Sequence, residues 1–129
     1  GAAVDRPGVY ESHVCVSWKH AAAAYEACVR LEPDALKRGK ALFGAGISRG
    51  KLNDASKAIF ALQEAHNLLP KDASIMIALA SAYKLNGDFD MALEVLKSAA
   101  QEKPEIYRAF IEPLEHEMAE NSRNSLSKD

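Results

Sequence analysis

Cysteine is scarce in this chain of 129 residues, and the two present, Cys15 and Cys28, form no CxxC pair and no disulfide framework. Both are expected to be reduced. The histidines, His13, His20, His66 and His116, are scattered; His13 beside Cys15 is the only close pair of soft ligands, and no second pair closes a tetrahedral site. No metal and no cofactor is therefore expected. Charge of one sign is lacking too, since the formal net charge is -2. Nucleic-acid binders concentrate Lys and Arg on one face, so that class is excluded. No apolar run reaches the roughly 18 residues that span a bilayer. The opening Gly1-Ala2-Ala3-Val4-Asp5 also lacks a basic region followed by an apolar core. These absences predict a cytoplasmic protein with no membrane insertion. Finally, there is no Gly-rich phosphate loop, no HExxH, no GxSxG and no nucleophile with an arguable base. Acid pairs such as Glu115 and Glu117 read as solvated helix surface. No catalytic residue is expected, and the chain is not read as an enzyme.

What is there is helix. With 48% apolar and 26% charged residues, the chain can build one globular unit with a real core. Four apolar-periodic segments, 34–50, 54–69, 71–85 and 88–103, are separated by short breaks, the mark of antiparallel neighbouring helices. Asp54 and Asp88 fit N-cap positions, and Pro33, Pro70 and Pro104 stand where one helix has ended and another begins. No strand pattern competes.

A period runs through these segments. Pro70 to Pro104, Ala58 to Ala92, Leu62 to Leu96, Ala65 to Ala99 and Asp54 to Asp88 are each 34 residues apart. The spacing resembles the tetratricopeptide repeat, a helix-turn-helix unit of 34 residues with a W-x2-L-G-x2-Y…A-x3-F…P pattern. In the later copy the pattern falls on Met76, Leu79, Ala80, Tyr83, Ala92, Leu96 and Pro104; in the earlier it falls on Leu42, Ala45, Gly46, Arg49, Ala58, Leu62 and Pro70. Gly46 with Ala58, and Ala80 with Ala92, are small so that two backbones can approach, while larger residues fill the grooves beside them. Two departures stand out. Arg49 occupies the aromatic place, and Lys-Leu-Asn recurs at 51–53 and 84–86, an offset of 33 against 34 for the packing residues.

The flanks follow from this frame. Trp18 to Pro33 reads as the second helix of a preceding unit, and Pro33 to Pro70 is 37 residues, which asks for a longer loop or a lengthened helix near Asp34–Gly39. Residues 1–17 are expected to be irregular or a degenerate first helix, either a short helix near Val9–Val16 or an extended segment. Downstream, Ile106, Phe110, Leu114 and Met118 recur every four residues and predict a capping helix over 105–120, kinked near Pro113. Residues 121–129 read as a disordered tail. The resemblance thus implies an all-α fold: a right-handed superhelical array of antiparallel helix pairs, about two and a half repeats over 18–104, with a C-terminal capping helix.

The same resemblance implies a protein-interaction module, an adaptor or scaffold. First helices of such repeats line a concave side, which here would present Lys40, Phe43, Gly44, Ile47 and Lys51 from one helix and Ile77, Ala78, Ser81 and Lys84 from the next. An apolar strip edged by lysines suits a partner's peptide or helix carrying an apolar anchor and carboxylates. The equally simple reading of each lysine is a solvated face. Two alternatives stay open. One is a co-chaperone that grips the acidic C-terminus of a heat-shock chaperone, although Gly44 stands one turn after Lys40 where that branch has Arg. The other is assembly, including a homodimer, through an uncapped repeat end on the Ala-rich face of Trp18–Leu31.

Overall fold

The computed structural model describes residues 9–127, with side chains described from 17 to 126. His13 and Cys15 therefore lie outside the described side chains. Among the described residues the chain is all-α: α1 Val9–Leu31, α2 Ala35–Lys51, α3 Ala55–Leu68, α4 Ala73–Leu85, α5 Phe89–Glu102, a π-helical turn Tyr107–Ile111, and α6 Glu112–Ser127. It divides into two compact units, Gly1–Pro70 and Lys71–Asp129, where the sequence suggested one continuous repeat domain.

In the first unit α2 packs on both α1 and α3. Asp34 starts α2 by accepting from the Lys37 N–H (2.9 Å), and Asp54 starts α3 by accepting from the Lys57 N–H (3.2 Å). Small residues set the helix spacing. A Cβ on Gly46 would lie 2.4 Å from Leu62 Cγ, and one on Gly44 would lie 2.5 Å from the Tyr25 ring, so α3 and α1 both reach the α2 backbone at glycine. The core between them holds Ala22, Ala41, Leu42, Ala45, Ala58, Leu62 and Ala65. Ser48 is buried among them, its hydroxyl donating to the Gly44 carbonyl (2.9 Å).

In the second unit α4 packs on α5, and α5 carries the π turn and the start of α6. Asp72 caps α4 through Ser74 N–H (2.9 Å) and Ile75 N–H (3.3 Å). Ile75, Met76, Leu79, Ala80, Tyr83, Ala92, Leu96 and Ala99 are buried, joined by Ile106, Ile111 and Leu114 from the closing segment. Asp88 holds the N-cap position of α5 without a side-chain cap bond; its carboxylate instead accepts from the Asn86 amide (2.8 Å).

The two interhelix turns share one design. Asn53 (φ 63°) and Gly87 (φ 83°) are left-handed, and each is followed by an aspartate whose N–H donates five residues back, Asp54 to the Arg49 carbonyl and Asp88 to the Tyr83 carbonyl. These are Schellman ends. The left-handed residues are 34 apart, so the offset of 33 in Lys-Leu-Asn is a coincidence of composition: Asn takes the left-handed place in one turn and Gly in the other.

Three expectations are corrected. Val9–Val16 is neither short nor extended but the start of one unbroken helix running to Leu31, because no Pro or Gly interrupts that span. The stripe Ile106, Phe110, Leu114 is broken: Ile111 is fully buried and Phe110 is 41% exposed. Pro113 has no N–H for the Ala109 carbonyl. The preceding turn widens, with Glu112 N–H bonding to the Tyr107 carbonyl, which moves the next residue onto the core side. Helix α6 also continues to Ser127 through the supposed tail; residues 121–126 are all exposed, so no apolar period announces them. The 37-residue interval resolves as a lengthened helix, α2 having 17 residues against 13 in α4.

Candidate functional site

Lys40, Phe43, Ile47 and Lys51 recur at helical spacing along one face of α2. Lys40 and Lys51 are exposed, Phe43 and Ile47 half-buried, and neither lysine makes an ion pair among the described residues. Gly44, assigned to the same face, belongs instead to the packing of α1 on α2 beneath the Tyr25 ring. On α4, Ile77 is half-buried while Ser81 and Lys84 are exposed. Lys84 differs from the α2 lysines because its Nζ lies 3.6 Å from the Glu117 carboxylate of α6. Of the residues read as packing positions, Leu42, Gly46, Ala58, Leu62, Leu79, Ala80, Tyr83, Ala92 and Leu96 are buried, and Pro70 and Pro104 are exposed at helix junctions.

Arg49 is the residue whose role the sequence left unexplained. Its guanidinium donates two bonds to Glu26, Nε to Oε2 (2.9 Å) and Nη2 to Oε1 (2.7 Å), fastening α1 to α2. That bonding holds the Glu26 carboxyl below its ordinary range, against a smaller opposing push from burial. At the equivalent place of the later copy, Tyr83 is buried, and that burial, with the nearby Asp88 charge, raises its phenol. A fork of this kind needs an acid on a neighbouring helix 23 residues away, which no local pattern signals.

Residues 51–110 match the family model of the tetratricopeptide repeat. Over that stretch, just under half of the chain, the protein is similar to the tetratricopeptide repeat. The match runs from the end of α2 through the whole α4–α5 pair and into the π turn. None of the curated proteins matches the chain. Repeats of this family typically serve as protein-interaction scaffolds. No described helix is long and apolar enough to cross a membrane, and among the described residues no group of three or more His, Cys, Asp or Glu is placed to hold a metal ion.

A second concavity is marked by no pattern in the sequence. On the side of α2 away from Lys40 and Ile47, a half-open groove of about 310 Å³ lies between α1 and α3. Leu42 and Ala45 form its floor, Val29 and Glu26 one wall, and Lys57, Phe60, Ala61 and Glu64 the other. It continues as a shallower depression of about 210 Å³ past Glu64 toward Leu68 and Arg38.

Proposed function

We propose that the chain is a cytoplasmic adaptor whose α2 face takes a partner's peptide or helix, with Phe43 and Ile47 meeting an apolar anchor and Lys40 and Lys51 meeting carboxylates. The observation that carries this reading is the pair of exposed lysines without ion pairs, one turn beyond each end of a half-buried apolar strip on a single helix face. The α4 residues Ile77, Ser81 and Lys84 offer the same chemistry in weaker form, since Glu117 already stands beside Lys84 and an incoming carboxylate has to displace it.

Binding of a labelled acidic peptide with one apolar anchor tests the reading. Lys40→Glu with Lys51→Glu is expected to weaken capture by about tenfold or more, and Lys84→Glu by much less. Unchanged affinity in the double variant sinks the proposal. Affinity that requires a free C-terminal carboxylate would favour the co-chaperone alternative. That alternative has one point against it: a longer side chain at 44, one turn after Lys40, would meet Tyr25. Assembly through α1 is supported by Leu31, 83% exposed, with Ala23 and Ala24 exposed on the same helix. Light scattering that finds a monomer at all concentrations would remove it.

A further inference from the structure

The groove between α1 and α3 has a floor, two walls and a charge pattern, and nothing in the adaptor reading uses it. Its walls both pack on α2 and, among the described residues, not on each other. Its floor residues Leu42 and Ala45 are 5% and 1% exposed, whereas Phe60 on the rim is 68% exposed, an unusual position for a large aromatic on an otherwise well-packed helix. The volume, about 310 Å³, lies at the lower end of the range for binding clefts and suits one or two large apolar side chains rather than a bulky cofactor.

Charge defines the occupant. Along α3 the order is Lys57, then Phe60 and Ala61, then Glu64, so a cation and an anion bracket the apolar centre on one helix face. Neither Lys57 nor Glu64 makes an ion pair among the described residues. The other charges of the groove are engaged: Glu26 accepts both Arg49 bonds, and Arg38 donates to the Glu32 carbonyl (3.3 Å). Asn67, in the shallow continuation, accepts from the Gln63 amide (3.2 Å). The two groups without an ion pair are thus seven residues apart, about 10 Å along a helix axis, with the Lys57 charge also felt by Glu26 on the facing wall.

We propose that this groove is a second docking site, taking an amphipathic helix of a partner protein that runs parallel to α3 and presents an acid, a large apolar residue and a base at positions i, i+3 or i+4, and i+7. The acid faces Lys57, the apolar residue enters between Val29, Leu42 and Phe60, and the base faces Glu64. A helix laid there packs against α1 and α3 at once, supplying the contact those two do not make with each other. The site lies on the opposite side of α2 from Lys40 and Lys51, so two partners bind without competing.

The test is selection of displayed helical peptides, randomised on one face, against the full chain. Enriched peptides are expected to carry acid, large apolar residue and base in that order and spacing. Phe60→Asp is expected to abolish enrichment, and Lys57→Glu combined with Glu64→Lys to reverse the order of the charges, while Lys40→Glu with Lys51→Glu leaves it unchanged. All these positions are exposed or half-buried, and thermal melting of each variant checks that it folds. No enrichment, enrichment without the charge order, or a pattern unmoved by the charge reversal would each overturn the proposal. So would a Phe60-dependent dimer in light scattering, which would make a second copy of the chain the occupant.

Discussion

The α2–α3 pair and the α4–α5 pair are copies of one 34-residue frame, yet they hold themselves together differently. Both end their first helix in a Schellman turn and both bury small residues where their helices pack, Gly46 and Ala58 in one and Ala80 and Ala92 in the other. At the place following that contact, the second copy buries a neutral Tyr83, while the first places a charged Arg49 at the edge and pairs it with Glu26 of α1. The backbone frame is the conserved quantity between the copies, because the close approach and the left-handed residue have few substitutes. The aromatic place is open to any side chain that the adjoining helix can satisfy.

The comparison can be broken most forcefully in the core. Leu62→Ala in the first pair and Leu96→Ala in the second remove matched buried side chains, and each is expected to cost about 2–5 kcal/mol in denaturant unfolding. A large loss from one and none from the other would mean the copies do not share a packing register. Ala92→Leu, at a fully buried crossing, is expected to overpack and cost about 1–3 kcal/mol; an unchanged melting temperature would contradict the crossing itself.

The turns offer a finer contrast. Gly87→Ala puts a Cβ on a left-handed residue and is expected to cost about 1–2 kcal/mol, whereas Asn53→Gly should stay within a few tenths of neutral. Equal effects would show that Asn and Gly are not doing the same job in the two turns.

The smallest effects concern pH, and they carry opposite signs in the two copies. The Glu26 pKa is lowered on folding, so its contribution is present above the ordinary value of 4.5 and is lost as pH falls through the folded value. Glu26→Gln should flatten the acid limb of stability by less than about 1 kcal/mol, since both partners of the fork are partly exposed. Tyr83 has a raised pKa, so ionisation is harder in the fold; stability is unaffected below 10.0 and declines as pH rises toward the folded value. Tyr83→Phe should remove that alkaline decline. Chemical denaturation across pH separates the two, and an acid limb unmoved by Glu26→Gln would show that the fork contributes nothing to folding.

Much of the fold was legible because helices announce themselves locally. The boundaries of α2 to α5 follow from apolar spacing, from the aspartates Asp54 and Asp88 and from prolines at the junctions, although Asp88 makes no side-chain cap bond and the caps at Asp34 and Asp72 were not anticipated. That Lys40, Phe43, Ile47 and Lys51 share one side of α2 was legible for the same reason, from their spacing on one helix. Where the signal was absent, the reading failed. Helix α6 runs on to Ser127 through residues 121–126, which are all exposed and carry no apolar face, and the π turn before Pro113 changes which residue faces inward without changing the composition.

By itself, then, the sequence determined the kind of element, the repeat period and the positions that must stay small, since all of these depend on neighbours within a turn or two of helix. Only the tertiary structure decided that Arg49 belongs to Glu26, that Gly44 lies under Tyr25 rather than in a binding face, and that a groove opens between α1 and α3. Such facts depend on the register of one helix against another, and no local pattern carries that register.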